Sequence, residues 1–296
     1  MRVKDISYSK YYNKALQCLT AENEWENGVY KHRGQLLSKS HVLPLEDDEN
    51  TLEHRIASLQ NYIGLDCRKC LGERLGELHQ YAHHLTSSQQ LCMKFFSVLI
   101  DDNRLATEAM VVFIKNSFGI DIHIGAKCEF EYKEKIEPYL FDVDKDGNVI
   151  GGYEGTSFDF HIQDVDVEIY FEIKFTEKGF KKEKADGRHE VKAAEYCRIA
   201  PQFFREIVKE PEEFLKQYQI YRNIIRVTDN SKYVVFISDG NNPATNQDIQ
   251  DIQKILEMKQ LDLPVNIQFK TWQELMLPEL YPFELPFQLK AIQKYK

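Results

Sequence analysis

The sequence predicts an α/β (α+β) protein: a layered core of helices and strands behind a helical N-terminal region. Three observations carry this. Up to residue 119 apolar residues recur at helical spacing, and from residue 120 they alternate with polar ones, the period of a strand. Strand patterns then follow one another through polar turns as far as residue 176. Beyond that point helical and strand patterns alternate. The order, helices, antiparallel strands, helix, strand, helix, strand, is that of an α/β or α+β layered core.

The elements follow in order. Residues 8–20, 50–63 and 68–84 are predicted helices; in the third, Leu71, Leu75 and Leu78 recur at helical spacing. Between them SKSHVLPLEDDEN (38–50) reads as a loop. In TSSQQLCMKFFSVL (86–99) a Ser pair offers an N-cap to an apolar helix. A helix over 102–118 turns Leu105, Met110, Val111 and Ile114 inward and ends at Gly119. IDIHIGAKCEFEY (120–132) is a strand; 139–143 and the stretch around Val149 and Ile150 flank the turn DKDGN. SFDFHI (157–162) and VEIYFEIKFT (167–176) are two more strands around the turn QDVD. Helices are expected at 190–209 and 211–227, the second opened by Pro211. KYVVFIS (232–238) has the unbroken apolar run of a buried strand. A helix (244–259) and a strand (264–269) complete the pattern. No repeat or low-complexity linker divides the chain, and residue 85 is the best boundary, giving regions 1–85 and 86–296.

Composition bounds the function. A chain of 296 residues buries about three-quarters of its unfolded surface and needs no covalent or metal staple. With 43% hydrophobic residues, 14 Gly and 9 Pro, it is neither collagen-like nor largely disordered. No apolar run approaches the ~20 residues of a membrane span. The opening MRVKDISYSKYYNK lacks the apolar stretch of a secretion signal. A cytoplasmic location without a membrane partner is expected. Lys plus Arg is 38 against 47 Asp plus Glu, a net charge of −9, which argues against a basic coat for nucleic acid. It leaves room for an enzyme that holds DNA in one local groove beside an acidic site. The 6 scattered cysteines of so large a chain read as reduced thiols.

The informative stretch is GTSFDFHIQDVDVEIYFEIKFT (155–176). Asp159 lies on one predicted strand; Glu172 and Lys174 lie two apart on the next, so they leave the same face. Tyr170, Phe171, Ile173 and Phe175 surround them, and charges in so apolar a strand are costly unless paired or bound to something. A hairpin would bring Asp159 and Glu172 together at one end. Two carboxylates and an ammonium on one face suit a Mg²⁺ site, since Mg²⁺ takes a few carboxylates with water and phosphate oxygens. The lysine can position a water or stabilise charge developing on phosphate. The bland reading is a surface salt bridge between Glu172 and Lys174, which the apolar flanks disfavour.

Asp159 followed by Glu172-Ile173-Lys174 resembles the PD-(D/E)XK nuclease superfamily, the restriction-endonuclease-like fold, with Phe158 in place of the family's proline. SSQ (87–89), TSFD (156–159) and EIKFTE (172–177) further resemble a bacterial branch of these proteins, over roughly residues 86–240. The resemblance implies a mixed central sheet flanked by helices, and a metal-dependent endonuclease cutting phosphodiester bonds in DNA. Asp159, Glu172 and the Ile173 carbonyl would hold Mg²⁺, for which Mn²⁺ would substitute, and Lys174 would orient the attacking water. Members often add an acid from the helix before the sheet; Glu108 is the candidate. Polar residues on the helix after the lysine motif often approach the metal, so Gln219 and Arg222 are assigned to substrate. DNA is the implied partner, and a homodimer is compatible with the fold.

Weaker features have blander readings. The run 178–192 carries Lys178, Lys181, Lys182, Lys184, Arg188 and Lys192 diluted by acids; Lys181 and Lys182 are candidates for phosphate contact, and a solvated loop is the alternative. Asp142, Asp144, Asp146 and Gly147 open like a calcium loop, but Tyr153 stands where Glu is needed, so a hairpin turn is expected. Cys67, Cys70, His79 and His83 have spacing unsuited to zinc and read as residues on a helix surface. His161 shares a face with Asp159, and either touches phosphate or simply packs. The rivals to a nuclease are a catalytically silent nucleic-acid-binding or interaction module on the same fold, and a zinc-stabilised regulatory protein.

Overall fold

The strand KYVVFIS sits where its apolar run requires, with Val234, Val235, Phe236 and Ile237 fully buried between helical layers. The computed structural model describes residues 3–21, 28–32, 35–39, 41–46, 49–133, 141–144, 146, 148–152, 157–180, 182–184, 187–258 and 266–275. Its helices before the sheet are α1 (Val3–Thr20), α2 (Leu52–Ile63), α3 (Cys67–Leu71), α4 (Ser88–Phe96) and α5 (Glu108–Phe118). A hairpin of β1 (Gly28–His32) and β2 (Gln35–Lys39) interrupts the region read as helical. Then come β3 (Lys127–Lys133), β4 (Phe141–Val143), β5 (Val149–Gly152), β6 (Ser157–Gln163) and β7 (Glu168–Ile173). They are followed by α6 (Gly187–Ile199), α7 (Gln202–Ile207), α8 (Pro211–Leu215), α9 (Tyr218–Ile224), β8 (Lys232–Ser238), α10 (Pro243–Met258), β9 (Ile267–Thr271) and α11 (Trp272–Leu275).

The central sheet is five-stranded in the order β3-β6-β7-β8-β9. β6 runs antiparallel to both β3 and β7, and β8 and β9 add to β7 in parallel. The α/β architecture expected from the change of period is therefore present, and the sheet is mixed, as the resemblance implies. One face packs on α4 and α5, where the Phe96 ring stacks on Phe160 at 4.2 Å and Phe95 meets Phe113 edge-on. Leu19, Leu43, Leu59, Leu71 and Leu85 extend that same cluster into the N-terminal region. The other face, through Tyr170, Val234 and Phe236, packs on Tyr196, Phe204, Phe214, Ile220 and Ile224 of α6–α9 and on Ile252 of α10.

Several boundaries differ from the sequence reading, each for a local reason. The helix expected over 68–84 stops at Gly72, whose φ of 53° lies outside the helical region, and continues as a 3₁₀ turn to Glu77. The helix over 102–118 begins only at Glu108 because Thr107 caps it, its side chain accepting the N–H of Met110. The strand expected from residue 120 begins at Lys127, after Gly125 turns the chain with φ 88°. The long helices at 190–209 and 211–227 are each broken, the first at Pro201. β4 and β5 form the expected hairpin, with Asp144 accepting the N–H groups of Asp146 and Asn148, both at 2.9 Å. Gly147 and Tyr153 lie outside the described residues.

The end of β7 is fastened from both directions along the chain. The Tyr11 hydroxyl of α1 contacts the Phe175 carbonyl oxygen at 3.0 Å and the Asp239 carboxylate at 2.8 Å, and the Tyr8 hydroxyl donates to the Thr176 carbonyl at 2.7 Å. Gln273 of α11 donates to the other Asp239 oxygen at 2.6 Å. Among the described residues no helix is long and apolar enough to cross a membrane.

Candidate active site

Strands β6 and β7 pair from Gln163↔Glu168 to Phe160↔Phe171. The next step of that register sets Asp159 opposite Glu172, at the end of the ladder. The Asp159 carboxylate accepts the N–H of Ile173 at 2.6 Å. Because N–H and C=O of an extended residue leave on the same side, the Ile173 carbonyl also leaves toward Asp159. Glu172, 3% exposed, accepts three donors: Lys174 Nζ at 2.7 Å and Gln219 Nε2 at 2.6 Å on one oxygen, and Asn223 Nδ2 at 3.0 Å on the other. Gln219 and Asn223 stand four apart on α9, one above the other on the helix face turned to the sheet.

Opposite Asp159 on β3 is Glu131. Its φ of 49° is a left-handed conformation that non-glycine residues rarely adopt and that costs of order 1–3 kcal/mol. At this level the side-chain alternation of both strands breaks. Phe130 and Phe160 belong to the cluster under α4 and α5, whereas Tyr132 and Phe158, two residues along, pack with the cluster on the opposite face. The break turns Glu131 and Asp159 into a cleft of about 540 Å³, lined also by His79, Tyr81, His84, Thr86–Gln89 and Glu177. Gln89 donates to Glu131 at 2.9 Å and Ser157 at 3.4 Å.

The electrostatics are those of crowded acids. Burial, then the Glu172 charge, push the Asp159 carboxyl well above the usual carboxylate range. Burial pushes Glu131 up to about 7, with the Glu172 charge adding to it. Burial opposes the charged form of Lys174, but Glu172, Glu177 and Asp159 outweigh it and raise its pKa above the ordinary value. The lysine therefore stays an ammonium, with the Phe180 ring 6.0 Å away.

The structure thus gathers Asp159, Glu172, Ile173, Lys174 and Gln219. Of the other expected residues, neither Glu108 nor Lys182 bonds to that cluster. Glu108 is exposed in the first turn of α5. The turn leading into that helix is tied to the Lys127 end of β3, through Ala106 N–H to the Ala126 carbonyl, away from Glu131. Arg222 lies over the Tyr218 ring at 5.8 Å. Lys182 pairs with Asp248 at 2.6 Å, and Lys181 lies outside the described residues. Within the basic run Lys192 is buried. Cys67 and Cys70 are not on a helix surface: they are buried in the core, and burial raises both thiols. His161 is buried, stacked on Tyr132 at 3.8 Å and bonded to Glu168 at 3.1 Å.

Glu131, Gln89 and Asn223 are the site residues that the sequence reading missed. Asn223 carried a usable signal, its i+4 spacing from Gln219. Glu131 carried none, because regular alternation assigns it to the same face as Glu129, and the left-handed turn is not legible in EFEY.

A mixed sheet ending in a buried carboxylate–lysine centre at the wall of a cleft defines the class: an α/β protein with an acid–base cluster at the open end of its antiparallel strands. A sequence model of the family described as Restriction Endonuclease associating with ARP matches residues 11–286, a span that includes every residue of this cluster. The chain belongs to that restriction-endonuclease family. No curated protein and no solved structure matches it.

Proposed function

We propose that this chain is a metal-dependent endonuclease of the PD-(D/E)XK type that hydrolyses phosphodiester bonds, with DNA as substrate. The observation that carries the reading is the meeting of Asp159, Glu172 and Lys174 at the end of adjacent strands, in a member of a restriction-endonuclease family.

The residues fit Mg²⁺. Among the described residues no three His, Cys, Asp or Glu side chains stand close enough to enclose an ion alone. What supports the ion is the pair of carboxylates, Asp159 and Glu172, beside the Ile173 carbonyl, since Mg²⁺ takes one or two carboxylates and keeps most of its waters. Asp159, Glu172 and the Ile173 carbonyl would hold it. The crowding that drives Asp159 and Glu131 toward their neutral forms is the situation a divalent cation relieves. Bound there, Mg²⁺ would polarise the phosphoryl group and acidify a water.

The remaining work falls to side chains. Lys174, held charged, donates to the attacking water or to a phosphate oxygen as its charge develops. Gln219 and Asn223 hold the Glu172 carboxylate in one orientation, and Gln89 does the same for Glu131. The direct test incubates plasmid and single-stranded DNA with the protein, each with Mg²⁺ and with EDTA. Cleavage in Mg²⁺ alone supports the reading; intact DNA and RNA in both Mg²⁺ and Mn²⁺ removes it.

A further inference from the structure

One wall of the cleft is aromatic, and nothing in the chemistry above uses it. The Tyr81 ring lies 5.3 Å from His79 and 5.2 Å from His84, both tilted, and His84 meets His83 edge-on at 4.6 Å. His79, Tyr81 and His84 line the same cleft as Glu131 and Asp159. Gln89 ties the two sides together: its Oε1 accepts the His79 N–H at 2.8 Å while its Nε2 donates to Glu131 at 2.9 Å. The aromatic wall therefore stands within one glutamine side chain of the acids.

We infer that this wall receives an unstacked base beside the phosphate at the carboxylates, so that the cleft selects single-stranded or locally unpaired nucleic acid over intact duplex. The inference rests on the nuclease reading above and names its substrate class. In an intact duplex the bases are stacked and only their edges reach the grooves. Aromatic faces next to the acids then have no flat apolar partner. An unpaired strand offers one, because its bases turn out and stack on Tyr and His rings. A cleft of about 540 Å³ lies within the size range of small-ligand sites, room for one nucleotide.

The wall's charge agrees with a base rather than a phosphate. Burial, then Arg55, lowers the His79 pKa, and burial with the neighbouring histidines lowers His84 to about 3, so both imidazoles are neutral at pH 7. Neutral rings stack and do not neutralise phosphate. Stacking also needs no excess of cations, which suits a chain of net charge −9.

The test measures binding in EDTA, so that no cleavage intervenes. The probes are a single-stranded oligonucleotide carrying 2-aminopurine, whose fluorescence is quenched on stacking, and the matched duplex. The parent protein is expected to quench the single strand. Tyr81→Leu, which keeps apolar bulk and loses the ring, should abolish the quench and weaken single-strand binding about 5- to 150-fold, with a much smaller loss on the duplex. His79→Ala, at an exposed position, should weaken the single strand in the same sense and guards against a folding defect in the first variant. An equal loss on both probes, or none on either, overturns the inference. Mg²⁺-dependent cleavage of plasmid by the same preparations would then leave the nuclease reading standing. Absence of any binding or cleavage removes both.

Discussion

Asp159 bonds the main chain of Ile173 across the seam between β6 and β7, at 2.6 Å. The acid thereby replaces a rung of the ladder where the two strands stop pairing. It is a structural acceptor as well as a candidate ligand, and the two roles separate on substitution.

Asp159→Asn keeps an oxygen for the Ile173 N–H and removes the charge that burial opposes. The apo variant should melt at or above the parental temperature while Mn²⁺ affinity, read by calorimetry, falls. Asp159→Ala strands a buried N–H and should lower stability by about 1–3 kcal/mol. An Asn variant that binds Mn²⁺ like the parent places the ion elsewhere.

Lys174→Ala removes an ammonium that repels a cation and leaves Glu172 held by Gln219 and Asn223. Metal binding should persist or tighten while cleavage falls about 10²–10³-fold, the usual loss for one positioned charge-stabilising donor. Calorimetry beside a cleavage assay separates the two effects. Parental cleavage would reduce the lysine to an ion-pair partner.

Glu131 and Glu108 make a matched pair of controls. Glu131→Gln preserves acceptors and donors for Gln89 and Ser157 but removes a cleft carboxylate, so Mn²⁺ affinity and cleavage should both drop. Glu108→Gln, at an exposed helix start, should leave cleavage within about twofold and cost a few tenths of a kcal/mol through the helix dipole. The reverse ranking would return the role to Glu108.

His83 gives a pH prediction. It is fully buried, neither ring nitrogen has a hydrogen-bond partner among the described residues, and burial followed by the Arg55 charge lowers its pKa to about 4. A base whose folded pKa lies below its unfolded 6.5 stabilises the fold above pH 6.5 and loses that contribution as pH falls toward 4. The loss is about 2–3 kcal/mol by pH 4. Denaturant midpoints between pH 7.5 and 4 should fall for the parent and fall less for His83→Phe. Parallel profiles would mean that this histidine is not the titrating group.

The fold was legible where burial imposes a period. The VVFI run of β8 and the strand patterns of β6 and β7 needed no tertiary information, and together with the turns they mark a layered α/β core; that its sheet is mixed came with the family resemblance. The pairing of Glu172 with Lys174 was legible for the same reason, since two apart on a strand means one face. What escaped depends on exceptions to the period. Gly125 shortens β3, Thr107 delays α5, and Glu131 leaves its expected face through a backbone conformation that its side chain does not announce. The β1–β2 hairpin escaped because VYKH and LLSK are too short to display alternation. Glu108 was assigned by its place in the order of elements, and order does not say which end of a strand a helix start approaches.

The Asp239 carboxylate takes Tyr11 on one oxygen and Gln273 on the other, while Tyr11 also touches the carbonyl of Phe175, next to Lys174. All the side chains of the centre, Glu131, Asp159, Glu172, Lys174, Gln219 and Asn223, come from the stretch 131–223, but the backbone beside Lys174 is held through residues 11, 239 and 273. A fragment cut to 131–223 would keep every one of those side chains and lose β8, the parallel neighbour of β7, together with the Tyr11–Asp239–Gln273 tie. The centre is thus local in its chemistry and global in its support.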